Sequence, residues 1–272
     1  MKKKAVTSLS GRVAARYGQL PKVEAVALAG SQTSSVADAS SDIDLYVYCS
    51  EDLALSEREA VALEFARQVE IGNCFWEPGD EWIDLQTGIK VDVMFRPIHW
   101  IEAQLARVLD ECQASVGYST CFWNNVLVSE ALFDRRGWFE ALQTKARRHY
   151  PEVLRQAIIA KNFPILRDAF SSYAHQIQSA VARDDRVSIQ HRVTALLASY
   201  FDIVFAINRL PHPGEKRLLR IAQTRCDHLP DGMSGQVEAL LDAASMPGSD
   251  VLERIDSLVE GLENVLRAEK LL

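Results

Sequence analysis

Leu28-Ala-Gly-Ser-Gln-Thr-Ser-Ser-Val-Ala-Asp-Ala-Ser-Ser-Asp-Ile-Asp-Leu-Tyr-Val47 decides how this chain is read. An apolar run ends in Gly30-Ser31, a polar loop follows, and a second apolar run carries Asp42 and Asp44. Side chains alternate along a strand, so Asp42 and Asp44 project from one side, roughly 6.6 Å apart. Ile43, Leu45, Val47 and Cys49 face the other way. Neighbouring carboxylates repel unless a cation lies between them. A third carboxylate, Asp92, interrupts the strand-like run Ile89-Lys-Val-Asp-Val-Met-Phe95. Three Asp on adjacent strands make an oxygen-rich cage that suits Mg²⁺, which takes carboxylates together with phosphate oxygens. The chemistry this points to is metal-assisted phosphoryl or nucleotidyl transfer.

Gly30-Ser31, ten intervening residues, Asp42-x-Asp44 and the later Asp92 together resemble the signature of the DNA polymerase β-like nucleotidyltransferase superfamily. More narrowly, the pattern is similar to the small antibiotic-modifying branch, the aminoglycoside and lincosamide nucleotidyltransferases and their uncharacterised relatives. The motif resemblance covers about 28–96; beyond that it is architectural. It implies an α+β fold: an N-terminal nucleotidyltransferase-fold mixed sheet with helices, followed by an all-α helical bundle. It also implies Mg²⁺, two ions with the nucleotide bound, and transfer of a nucleoside monophosphate, AMP from ATP, with release of pyrophosphate. Asp42 and Asp44 would share both ions and Asp92 would complete the attacking side. The Gly30 backbone and Ser31 would hold the β and γ phosphates, because glycine admits close approach and successive N–H groups form an anion nest. Relatives often carry a basic residue and a glycine in mid-loop, where this chain has Ser34-Ser35, whose hydroxyls can donate hydrogen bonds instead.

The 272 residues suffice for one large or two ordinary domains. With 48% hydrophobic residues the chain can bury a substantial core. No apolar run approaches about 18 residues, so no membrane span is expected. Met1-Lys-Lys-Lys is basic, but Arg12, Arg16 and Tyr17 follow where a signal peptide would be apolar. Five cysteines without Cys-x-x-Cys spacing suggest neither a disulfide framework nor a zinc site, and a reducing cytoplasm is the expected location. The net charge of −7 is uneven: residues 1–135 hold 12 Lys and Arg against 20 Asp and Glu, and the remainder hold 18 against 17. An acidic first half argues against a duplex nucleic-acid partner and is compatible with a cationic small substrate. Walker, dinucleotide-binding and nucleophile-elbow motifs are absent. The six histidines show no zinc spacing, and most are expected at the surface or at helix ends.

The first half reads as mixed: a helix at 10–17, strands at 23–28 and 42–49, and a helix at 56–70 opened by a Ser56-Glu-Arg-Glu59 capping box. A hairpin joins 82–85 to 90–96, and a helix follows at 100–109. Leu132-Phe-Asp-Arg-Arg-Gly137 marks a boundary, dividing a catalytic domain at 1–135 from a helical domain at 136–272 that closes the nucleotide cleft. Helices are expected near 138–149, 152–161, 164–184, 187–210, 214–227, 234–245 and 249–270.

In the helical half, an apolar segment from Tyr200 to Asn208 leads through Pro211-His-Pro-Gly214 to Lys216 at a new helix start. Lys216 reads either as a surface turn residue or as a triphosphate contact, the role a helical-domain lysine has in similar small-molecule enzymes. Asp202 reads as a substrate-amine contact or a buried polar anchor. The general base stays open among Glu102, Glu130, Asp84 and Asp92. The leading function is transfer to a hydroxyl of a small molecule such as an aminoglycoside or lincosamide. Two alternatives stand beside it: a protein-modifying enzyme of the antitoxin type, and a nucleotide-binding regulator without turnover, prompted by Ser34-Ser35. Oligomeric state is not legible.

Overall fold

The computed structural model describes residues 2–29, 42–75, 77–246 and 250–272. The chain divides into two compact units, one of residues 1–106 with 125–148 and the other of 107–124 with 149–272. The division is thus not a single point near 135. Residues 136–148 belong with the sheet, and 107–124 belong with the helices.

In the first unit, α1 (Lys2–Tyr17) precedes β1 (Val23–Ala29) and β2 (Ile43–Cys49). Then come α2 (Leu55–Ala62), β3 (Val69–Asn73), β4 (Gly79–Ile83), β5 (Lys90–Pro97) and α3 (Ile98–Leu109), whose last residues, 107–109, count with the second unit. After α4 (Cys121–Val128), β6 (Glu130–Asp134) and α5 (Trp138–Ala146) complete it. Among the described residues the strands form one mixed sheet in the order β3-β4-β5-β2-β1-β6. β2 and β5 run parallel, and every other pair is antiparallel.

Alternation gives that sheet two unlike faces. Ile43, Leu45, Val47 and Cys49 of β2, with Val91 and Val93 of β5, pack against Leu9, Val13 and Tyr17 of α1 and Val61 and Ala62 of α2. The opposite face carries Asp44, Tyr46 and Tyr48 on β2 and Asp92, Met94 and Arg96 on β5. At the far end of β2, Tyr48 packs on Trp138 and Phe139 of α5, with ring centroids 5.3 Å apart in both pairs. That contact explains why α5 belongs with the sheet, although its sequence reads as the first helix of the bundle.

α2 begins one residue earlier and ends eight residues sooner than its sequence suggests. The Glu57 carboxylate, not Glu59, reaches back to the Ala54 N–H at 2.9 Å. Residues past Ala62 turn away to supply the edge strand β3. Its inward anchor is polar: Asp80 of β4, fully buried, accepts from Arg58 Nε at 2.9 Å and from the Gly72 N–H at 2.8 Å. Arg58 also lies over the Phe95 ring, 4.0 Å from its centre.

The second unit is helical: α6 (Glu152–Leu166), α7 (Tyr173–Ala182), α8 (Arg186–Ile207), α9 (Leu218–Arg225), α10 (Met233–Ser245) and α11 (Val251–Ala268). α8 is its axis, buried on all sides from Ser199 to Ile207, with α6, α7 and α10 packed around it. The continuous helix expected over 164–184 is two. Pro164 lies in the last turn of α6, and α7 starts afresh where Ser172 Oγ accepts from the His175 N–H. Among the described residues no helix is long and apolar enough to cross a membrane.

Candidate active site

β1 and β2 lie side by side in antiparallel register, which pairs Ala29, the last residue before the polar loop, with Asp44. Asp44 is in turn the register partner of Asp92 on the parallel strand β5. Both aspartates are half-buried and on the face opposite the helix-packed core, while Asp42 lies exposed just ahead of β2. Gly30 and Ser31, expected to grip phosphate, and Ser34-Ser35 lie outside the described residues.

The row of carboxylates continues one strand further. Glu81 of β4 is the register partner of Asp92 from the other side, so Asp44, Asp92 and Glu81 form a line across three adjacent strands. Lys90, two residues before Asp92 on the same face, places its ammonium 2.7 Å from Glu81 Oε2 and 3.2 Å from Asp92 Oδ1. Burial raises the Asp92 carboxyl above the usual carboxylate range; Glu81 and Asp42 push the same way, against the Lys90 ammonium. The hydrogen bond to Glu81 above all holds Lys90 protonated. Neither Glu81 nor Lys90 was found by reading the sequence. The signal was there, since Lys90 and Asp92 share strand parity, but the partner strand's register was not.

The donor set can be tested against a divalent ion. Asp44, Asp92 and Asp42 offer only oxygens, as Mg²⁺ requires. Asp92 Oδ1 is buried and makes no well-aligned hydrogen bond, which leaves it coordinating capacity. These residues fit such an ion. Among the described residues, however, no three Asp, Glu, His or Cys side chains are already gathered as an ion cage. The structure brings Asp44 and Asp92 together and keeps Lys90 beside them.

Further along the same face, Arg96 is buried, holds Glu77 through two bonds of 2.7 and 2.8 Å, and lies 3.7 Å from the Tyr46 ring centre. Of the other candidate bases, Asp84 and Glu102 are committed locally. Asp84 is buried and caps its own turn through the Thr87 N–H and hydroxyl. Glu102 accepts from the Trp138 indole at 2.8 Å and, with Trp138 and Lys145, lines a cavity of about 470 Å³ that none of Asp42, Asp44 and Asp92 lines. Glu130 is exposed on β6.

In the helical unit, Asp202 of α8 is a buried anchor. It accepts from the Ser119 N–H and hydroxyl, and from Asn162 at 3.4 Å. Most of the histidines are expected at the surface or at helix ends; His212 is fully buried. Its Nδ1 accepts from the Gly214 N–H at 3.1 Å, and the Cys121 thiol lies 3.4 Å from the same nitrogen. Burial lifts that thiol to about 12 and lowers the imidazole to about 4. The proton therefore stays on sulfur, and the pair is not a thiolate nucleophile. Lys216 is exposed in the turn before α9.

A family model described as a domain of unknown function (DUF4037) matches residues 124–218. Comparison with curated proteins finds no match. Among solved structures, the chain is similar to a nucleotidyltransferase-like protein from Exiguobacterium sibiricum 255-15. That pair has 13% identity and a TM-score of 0.44, covering 98% of this chain and 75% of that one. It is also similar to a STING-associated CdnE c-di-GMP synthase from Capnocytophaga granulosa. There the identity is 12% and the TM-score 0.31, covering 99% of this chain and 82% of that one. With both scores below 0.5, neither likeness bears on this chain's activity.

Proposed function

We propose that the protein is a Mg²⁺-dependent nucleotidyltransferase that moves a nucleoside monophosphate, AMP from ATP, onto a hydroxyl of a small molecule, with an aminoglycoside or lincosamide as the acceptor class. The observation that carries this reading is the register of Asp44 with Asp92 on adjacent parallel strands, beside the end of β1 from which the Gly-Ser loop departs. Asp42, Asp44 and Asp92 would hold the metal, which when bound neutralises triphosphate charge and activates the acceptor oxygen. The chain's own residues do the rest. Gly30 and Ser31 would hold phosphate, as the resemblance implies, and the half-buried setting of Asp44 and Asp92 limits water around the reacting oxygens. Lys216 supplies a cation for the triphosphate.

A panel of nucleoside triphosphates and hydroxylated acceptors with Mg²⁺, scored by pyrophosphate release, tests the proposal. Release that depends on one acceptor supports it. Nucleotide binding without release from any acceptor favours the second reading, a binding protein without turnover. The ion pair that places a lysine on the third carboxylate is the observation on that side.

A further inference from the structure

Lys90 and Asp92 share one face of β5, and the Lys90 ammonium lies between Glu81 and Asp92. Asp92 is flanked in register by a carboxylate on each side, Asp44 and Glu81, and Lys90 places its ammonium on the Glu81 side. The contact to Glu81 is the shorter, and Asp92 Oδ1 has no well-aligned hydrogen bond. The ammonium is therefore oriented toward Glu81, balancing Asp92 by proximity without using up its lone pairs.

We propose that Lys90 is a tethered counter-cation that stands in for a divalent ion at Asp92, and that Glu81 draws it aside, so that this pair sets the affinity of the site for metal. Neither residue need touch the ion. In metal-free protein, carboxylates in register repel one another, and Lys90 relieves that repulsion. When an ion binds at Asp92, the same ammonium opposes it, and Glu81 gives the ammonium a place to lie. The Lys90 and Glu81 side chains are 41% and 38% exposed, so the coupling is screened and both chains can swing. This inference rests on the metal-binding reading above.

The test is titration of Mn²⁺ alone into the full chain, followed by the electron paramagnetic resonance signal of the free ion. Lys90→Met is expected to tighten Mn²⁺ binding about five-fold, and Glu81→Gln, which leaves the ammonium on Asp92 alone, to weaken it by about as much. Lys90→Arg should stay near the wild type, because charge and not length is at issue. Lys90→Gln carries the same expectation as Lys90→Met and replaces it if that variant does not fold. Unchanged or weaker binding in Lys90→Met or Lys90→Gln, or unchanged or tighter binding in Glu81→Gln, while Asp92→Asn still weakens Mn²⁺, overturns this inference and leaves the metal site standing. Binding that Asp92→Asn does not move, or no binding by any variant, overturns the metal site itself.

Discussion

The Ser119 backbone N–H and hydroxyl both donate to the Asp202 carboxylate, at 3.0 and 2.6 Å, across 83 residues of sequence. Two residues on, Cys121 meets the buried imidazole of His212, and the intervening Thr120 hydroxyl accepts from the His212 N–H. One short segment, 119–121, therefore contacts both an acid and a base that burial perturbs in opposite senses.

Burial raises Asp202 from 3.8 to about 7 and lowers His212 from 6.5 to about 4. Between those limits the native Asp202 keeps a proton the unfolded chain sheds, so its contribution is lost as pH rises to 7. The unfolded chain takes up a proton on His212 that the native state refuses, so that contribution is lost as pH falls from 6.5 to 4. The two slopes oppose each other. Relative to the wild type, Asp202→Asn should gain stability as pH rises from 4 to 7, and His212→Gln should lose it. Each change should be on the order of 3 kcal/mol, read from urea denaturation across that range.

Asp44→Asn removes one of the two carboxylates in register across β2 and β5. Nucleotidyl transfer should fall by about a hundred-fold or more, since the metal contributes several kcal/mol to the transition state. The melting temperature without metal should stay level or rise as like-charge repulsion is relieved. Retained turnover with normal metal dependence would remove the aspartates from the mechanism.

Arg58→Met or Asp80→Asn breaks an ion pair whose side chains are 8% and 0% exposed. Either change leaves one charge buried alone and should cost about 3–5 kcal/mol in urea denaturation. The double variant should lose less than the sum of the two. Strict additivity would mean that the pair is not coupled.

Lys216→Ala should raise KM for the nucleotide by roughly ten-fold, the loss of one charge-assisted contact. The KM for the acceptor should move much less. Steady-state kinetics with each substrate varied in turn separate the two, and an unchanged nucleotide KM would make Lys216 a surface turn residue.

The sequence by itself determined what is local. Alternation told that Asp44 and Asp92 lie opposite the apolar faces of β2 and β5, because strand periodicity is written in consecutive residues. The loss of alternation after 137 likewise announced helices, and the Pro-Gly clusters at 211–214 and 230–232 marked two of the turns between them. Only the tertiary structure decided what lies beside what. The register of Asp92 with both Asp44 and Glu81 is set by how Leu45, Val47, Val91 and Val93 pack together under α1 and α2, across separations for which no short-range rule exists. For the same reason Lys90 could not be seen against Glu81, α5 was read with the wrong unit, and the burial of His212 was not foreseen. A side chain's burial depends on partners such as Tyr118, Phe205 and Thr120, which reach His212 from elsewhere in the chain.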